Sequence, residues 1–140
     1  HLLAHISSNP LISRPLEGPP GGERPQALLR YIESMLATRE LSPALTLTGH
    51  GDPILDHVTL IDERLRLHRR RAEKMLRMLE PGPLTAYEIA VNMWGNVAVT
   101  QAMLTLSEVL GHLDLLLRDG SVRELADDEV SRFEAVGLSP

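Results

Sequence analysis

The stretch LTLTGHGDPI, residues 45–54, decides how the rest of the sequence is interpreted. Leu45 and Leu47 alternate with threonines, and this period-two pattern predicts a short β-strand. The glycines on both sides of His50 allow a sharp turn and a close approach of the backbone to another group. The stretch therefore predicts a strand that ends in a turn presenting one histidine. A turn that simply closes a strand is the alternative.

Helices are predicted on both sides of this turn. Apolar residues recur at three- and four-residue steps over 26–39 and again over about 56–79, which is the pattern of a helix with one buried face. The Pro-Gly-Pro sequence at 81–83 ends the second helix and indicates a domain boundary. Residues 16–25, LEGPPGGERP, are rich in proline and glycine and predict a surface loop.

The segment after this boundary predicts helices followed by a hairpin. Thr85 and Glu88 have the spacing of a capping box at the start of the helix TAYEIAVNMW, which Gly95 ends. A second helix is predicted over 99–118. SVREL and VSRFEAV then predict two short strands around the turn ADDE. This order of elements is typical of a winged-helix domain.

The composition limits the class of protein. Of the 140 residues, 43% are hydrophobic and 24% are charged, which is typical of a globular chain. The apolar runs are too short to span a bilayer, so we expect no membrane partner. Because cysteine is absent, metal ligands must be histidine or carboxylate side chains, and a cytoplasmic location is expected. The predicted fold class is α+β, mostly α with minor β.

Five segments carry a resemblance to a known family. They follow one another in this chain as HLLAHISSNP, the His50 turn, IDERLRLHRRRAEKML, GPLTAYEIA and SEVLGHLDLLLRDGSV. In this order they resemble the C-terminal part of metallo-β-lactamase-fold hydrolases, in the glyoxalase-II-like and lactamase-β-like branch with a winged-helix tail. The resemblance implies that residues 1–80 are a remnant of an αββα catalytic sandwich, made of a helix, a strand and a long helix. Residues 81–140 would then be the winged-helix domain.

The resemblance also implies a hydrolytic site with two metal ions, usually zinc. Such a site activates water to hydrolyse an ester, thioester, lactam or phosphodiester of a small-molecule substrate. His50 matches the last histidine ligand, and His1 and His5 match the loop beside the metals, where they would contact substrate. Exposed histidines near a chain end are the alternative for the latter two.

Most of the implied metal ligands are missing from this sequence. The bridging aspartate would precede His1, and no His-x-His-x-Asp-His cluster occurs in the 140 residues. The chain does not begin with Met, so we expect it to be the C-terminal part of a longer protein. By itself it is expected to hold no zinc and to be inactive.

The distribution of charged residues decides whether a nucleic-acid partner is expected. A basic run on the long helix is usually a solvated face, with nucleic-acid binding as the alternative; it comprises Arg64, Arg66, His68, Arg69, Arg70, Arg71, Lys74 and Arg77. The segment 81–140 has three basic and nine acidic residues, for a net charge of −6, and 97–117 contains no Lys or Arg. Because duplex affinity depends on neutralising phosphates, we expect no DNA binding.

Two further expectations concern protein surfaces. Met93, Trp94, Met103 and Leu104 are predicted core residues, with a hydrophobic partner surface as the alternative. The sandwich remnant would expose an apolar face that a homodimer buries. A non-enzymatic winged-helix interaction module is the alternative to the hydrolase.

Overall fold

The computed structural model describes residues 2–5, 7–12, 24–125 and 130–137. His1, most of the proline- and glycine-rich loop and the ADDE turn lie outside the described residues. The helices are α1 (Ala27–Arg39), α2 (His57–Met78), α3 (Ala86–Trp94), α4 (Val97–Thr100) and α5 (Ala102–Arg118), and the strands are β1 (Leu84–Thr85), β2 (Val122–Leu125) and β3 (Arg132–Ala135). The predicted fold class, mostly α with minor β, is confirmed.

The two helices around the His50 turn form as predicted. α2 begins at the N-cap Asp56, whose side chain accepts a hydrogen bond of 2.9 Å from the Thr59 N–H. This bond satisfies one of the free N–H groups of the first turn. The Arg39 guanidinium at the end of α1 makes two hydrogen bonds, of 2.7 and 3.2 Å, to the Asp62 carboxylate, and so ties α1 to the second turn of α2.

The strand predicted over 45–48 is wrong. The stretch makes a single antiparallel bridge, in which Thr46 and Ile54 exchange two backbone hydrogen bonds of 2.9 Å. Ile54 is buried, but Leu47 is 76% exposed. Because no strand among the described residues pairs with the outer edge of this stretch, it remains a short open loop.

The helical part of the tail, which we define as residues 81–140, departs from the prediction at one point. The capping box of Thr85 and Glu88 is present, and Gly95 ends α3 with a φ of +58°, a conformation that favours glycine. The helix predicted over 99–118 is interrupted at Gln101, whose backbone (φ −126°, ψ 41°) is not helical. The chain therefore bends between α4 and α5.

The sheet has one more strand than predicted. The hairpin of β2 and β3 is confirmed, and β1 pairs with the other edge of β3, so that the antiparallel order is β1-β3-β2. A strand of two residues leaves no periodicity in the sequence, which is why β1 was not predicted.

One core joins α2 to the tail. It is made of buried apolar side chains from α2, α3, α5 and the sheet, among them Met75, Ile89, Leu113 and Phe133. Met93 and Trp94 pack partly buried against this core, as predicted. Met103 and Leu104 do not, because the bend at Gln101 turns the first residues of α5 outward and leaves these side chains 63% and 53% exposed.

A close helix crossing fixes α1 against α5. A Cβ atom added at Gly111 would lie 3.0 Å from the Leu28 Cβ, which is tighter than ordinary van der Waals contact. The contacting atom is next to the α1 backbone, so a side chain at residue 111 would push the helices apart.

Two buried histidines link α2 to α5. The Nδ1 atom of His68 lies 3.1 Å from Nε2 of His112, and Nδ1 of His112 lies 2.7 Å from the Glu108 carbonyl oxygen. A carbonyl oxygen only accepts hydrogen bonds, so His112 carries its proton on Nδ1 and its Nε2 is an acceptor. His68 must therefore donate from its own Nδ1 to His112 Nε2. Both rings are neutral in this chain of hydrogen bonds. Burial is the main cause that lowers the pKa of each to about 4.

We expect Gly111→Ala to destabilise the protein by about 1 kcal/mol. The overpacking cost of about 1–3 kcal/mol exceeds the gain in helix propensity of about 1 kcal/mol. Urea unfolding followed by circular dichroism measures the difference. Asn92→Ala, at an exposed position of α3, is the matched control and should be neutral or slightly stabilising. Equal stability of the two variants would contradict the close crossing.

The histidine pair predicts loss of stability in weak acid. Between pH 6.5 and 4 the unfolded chain binds protons at these two side chains and the folded chain does not, so the free energy of unfolding falls as the pH is lowered. Thermal unfolding between pH 7 and 5 measures this slope. The double variant His68→Leu/His112→Leu should have a much flatter dependence in the same window. An unchanged slope in that variant would contradict the assignment.

Candidate metal and substrate site

The His50 turn is held by a side chain that precedes it. The Thr48 hydroxyl lies 2.8 Å from the His50 carbonyl oxygen and 3.1 Å from that of Gly51. Gly51 has a φ of +81°, which only glycine adopts readily, so the turn requires glycine there. The turn presents His50 at an exposed position.

The N-terminal strip, which we define as residues 2–5 and 7–12, lies beside this turn. His5 Nε2 is 3.5 Å from Asp52 Oδ2, and a Cβ atom added at Gly51 would contact the His5 ring at 3.7 Å. The structure thus brings His5 next to the turn that carries His50. Sequence reasoning did not identify Asp52, which makes this contact. His1 lies outside the described residues.

Side chains of α2 and α5 hold the strip. Arg64 Nη2 donates to the carbonyl oxygens of Leu3 and Ala4, at 3.3 and 3.1 Å. Farther along, the Ile12 N–H donates to the Ser107 hydroxyl at 3.0 Å. The position of the strip therefore depends on the packing of α2 against α5.

The basic run of α2 is only partly a solvated face. Arg64 faces the strip, Arg71 forms an ion pair of 2.7 Å with Glu108, and His68 is fully buried. The interpretation of His68 as one of a row of exposed cations is therefore wrong, because its ring lies on the apolar face of α2. The exposed members are Arg66, Arg69, Arg70, Lys74 and Arg77.

The described residues do not complete a metal site. Nowhere in the described ranges do three histidine or carboxylate side chains come close enough to hold a metal ion. A divalent site needs three or four protein ligands, so His50 would need partners from outside this part of the chain.

A groove of about 390 Å³ opens beside the strip. It lies between Ser7, Asn9 and Leu11 on one side and the start of α5 on the other. Trp94, at the end of α3, forms part of its wall.

The chain is similar to metallo-hydrolases and metallo-β-lactamase-family proteins. It is 38% identical over 136 residues to the "Probable metallo-hydrolase YqjP" of Bacillus subtilis (strain 168), covering 96% of this chain and 41% of that protein. No family model matches.

Solved structures show the same fold. A β-lactamase domain protein from Burkholderia ambifaria superposes with a TM-score of 0.70 at 28% identity, over 80% of this chain and 34% of that one. A metallo-β-lactamase family protein from Thermus thermophilus superposes with a TM-score of 0.65 at 24% identity, over 79% and 34%. The chain thus spans well under half the length of these relatives.

Among the described residues, no helix combines the length and the apolar content that crossing a bilayer requires.

We expect Thr48→Val to loosen the His50 turn, because valine keeps the shape of threonine and removes its hydroxyl. The heteronuclear NOE values of the Gly49 and Gly51 amides should fall in Thr48→Val and stay high in Thr48→Ser, which keeps the hydroxyl. Thr38→Val removes a comparable hydroxyl bond within α1, of 2.8 Å to the Ser34 carbonyl oxygen, and is the control. Equal heteronuclear NOE values for these amides in Thr48→Val and Thr48→Ser would contradict the role of the Thr48 hydroxyl in ordering the turn.

Proposed function

We propose that this chain, whose sequence and fold match part of metallo-β-lactamase-family proteins, supplies one metal ligand and one wall of the substrate cleft to a metal-dependent hydrolase. The observation that carries the proposal is the 38% identity to a probable metallo-hydrolase over nearly the whole chain. Because the chain spans 41% of that relative, the activity is proposed for a longer protein that contains it. The remaining ligands would come from the part outside these 140 residues.

His50 is the proposed ligand from this chain. A neutral imidazole on a turn held by glycine geometry and by the Thr48 hydroxyl suits a divalent ion such as zinc. Two such ions, when bound, supply Lewis-acid activation of water. The role of this chain is to aim the His50 ring and to place His5 beside it, where His5 would contact the substrate. We propose that the ion is zinc and that two ions are held.

The tail is proposed to be a winged-helix domain that covers the cleft. The order strand, three helices and a hairpin, with the sheet order β1-β3-β2, supports this assignment. We propose its boundary at the Pro-Gly-Pro sequence of residues 81–83, with α2 contributing side chains to the same core. The net charge of −6 over 81–140 supports a role other than DNA binding.

A second candidate is a non-enzymatic interaction module, either with a protein partner or as a homodimer. The observation in its favour is the exposed apolar surface of Val99, in α4, and Met103, in the first turn of α5. Metal content separates the two candidates, because an interaction module has no need of a bound ion. A cytoplasmic location is proposed for both.

In the longer protein, we expect His50→Ala to lower hydrolytic activity by at least about a hundredfold, because loss of a metal ligand removes both the ion and its position. Plasma mass spectrometry should find less bound metal in this variant. His5→Ala is the paired variant: it should keep its metal and raise KM for the substrate. Full activity and full metal content in His50→Ala would remove His50 from the mechanism.

A further inference from the structure

Two of the side chains that hold the N-terminal strip are neighbours of the buried His68 ring. Arg64, which donates to carbonyl oxygens of the strip, lies one turn before His68 on α2. The side chains of Tyr31, in α1, and Ser8, in the strip, are hydrogen bonded. The Tyr31 ring packs edge-on against the His68 ring, with 6.2 Å between the ring centroids. The position of His68 is therefore coupled to that of the strip.

A third contact of the strip lies beside the other histidine. The Ser107 hydroxyl accepts from the Ile12 N–H at 3.0 Å. The next residue, Glu108, provides the carbonyl oxygen that lies 2.7 Å from His112 Nδ1. Ser107 and His112 are both buried. The three side chains that hold the strip thus come from three helices and converge on the contact between His68 and His112.

The histidine pair has no place for an added proton. His112 Nε2 lies 3.1 Å from the donating His68 Nδ1, so a proton on that atom would set two N–H groups against each other. His68 Nε2 is buried and has no hydrogen-bond partner among the described residues, so a proton there would meet no acceptor. Either proton would also bury a positive charge, which is costly. Separation of the two rings removes these costs because it exposes both rings to water.

The cations around the pair also oppose its protonation. Burial is the main cause of the lowered pKa of His68, and His112, Arg71 and Arg64 lower it further. Burial is also the main cause of the lowered pKa of His112, where the hydrogen bond to the Glu108 carbonyl oxygen acts in the opposite direction and Arg71 adds to the lowering. Protonation is therefore favourable only when the rings have left the interface.

The other titratable groups nearby do not release the strip in acid. Burial raises the pKa of the Glu108 carboxyl, so acid protonates it more readily in the closed interface than in an open one. Burial also raises the pKa of Tyr31, which stays neutral in acid. His5 is the one titratable side chain of the described strip, and its protonation strengthens the contact with an ionised Asp52. Release of the strip in weak acid would therefore come from the buried pair.

We propose that the His68–His112 pair is a pH switch, in which protonation separates the first half of α2 from α5 and releases the N-terminal strip. The strip then leaves the His50 turn together with His5. The rest of the fold stays closed, because α2 enters the main core through residues that all follow His68, beginning with Ala72. The inference rests on the proposed function where it makes this release a regulation of the site.

Hydrogen exchange of the Ile12 amide measures release of the strip on the chain itself, without metal or substrate. Two rings with a pKa of 6.5 when exposed and about 4 when buried shift the equilibrium toward the released strip by at least about a hundredfold between pH 7 and 5. The protection factor of Ile12, corrected for the intrinsic pH dependence of exchange, should fall by this factor or to the value of an unprotected amide. An unchanged protection factor would overturn the switch.

A core amide separates release of the strip from unfolding of the whole chain. Ala90 of α3 is buried in the main core, so its amide should exchange through global unfolding. Urea below the unfolding transition should accelerate exchange at Ala90 and leave exchange at Ile12 nearly unchanged, because release of the strip exposes far less surface. Equal protection and equal urea dependence of the two amides would overturn the proposal, since the strip would then leave only when the chain unfolds.

Variants assign the effect to the pair. In His68→Leu/His112→Leu the Ile12 protection factor should stay nearly constant between pH 7 and 5. His68→Gln keeps a donor to His112 and removes one titrating ring, so it should show about half the wild-type slope on a logarithmic scale. It provides the same test if the double variant does not fold. His57→Gln replaces another buried histidine of α2 and should behave like the wild type. A full wild-type slope in His68→Gln, or a reduced slope in His57→Gln, would contradict the assignment.

The outcome is separable from that of the proposed function. If Ile12 responds to pH as expected and the longer protein shows no metal-dependent hydrolysis, the switch stands and the hydrolase proposal fails. If hydrolysis depends on His50 and the protection of Ile12 does not depend on pH, the hydrolase stands and the switch fails.

Discussion

The packing of α2 against α5 is the constraint on which the other features depend. At its centre the His68 ring donates to the His112 ring in a fully buried position, and the Arg71–Glu108 ion pair lies close by. Hydrogen bonds in a buried setting require exact partners, so they set the register of the two helices more sharply than apolar contacts do. The tautomers are fixed in one direction, from His68 to His112 to the Glu108 carbonyl. The same bonds make this interface sensitive to acid.

The candidate site depends on this register. The N-terminal strip is held by Arg64 from α2 and by Ser107 from α5, so a shift of one helix along the other would move it. The strip in turn places His5 beside the His50 turn and lines one side of the groove. The strip therefore contacts the His50 turn through His5 and lines the groove with Ser7, Asn9 and Leu11.

The sequence predicted those elements whose signals are local. The capping box of Thr85 and Glu88, the periodic faces of α1 and α2 and the hairpin of β2 and β3 all depend on neighbouring residues, and all three were found. The strand over 45–48 failed because a strand needs a continuous partner, and among the described residues this stretch makes only the single Thr46–Ile54 bridge. The burial of Met103 and Leu104 failed because a helical pattern does not show the bend at Gln101.

The site was predicted less completely. The resemblance identified His50 and the neighbouring loop, but the Thr48 hydroxyl and the Arg64 contacts depend on the path of the backbone, which a pattern does not show. His68 had a usable signal, since residues 61, 65, 68, 72, 75 and 79 form one continuous stripe at steps of three and four. A histidine in that stripe is expected to be buried despite its basic neighbours.

The most direct measurement of the central claim is the nucleotide sequence of the reading frame upstream of His1, over roughly 150–200 codons, about one domain. The account predicts that this sequence encodes a His-x-His-x-Asp-His cluster and ends with an aspartate immediately before His1. A start codon directly before His1 would contradict it, because His50 would then have no other ligands in the same chain.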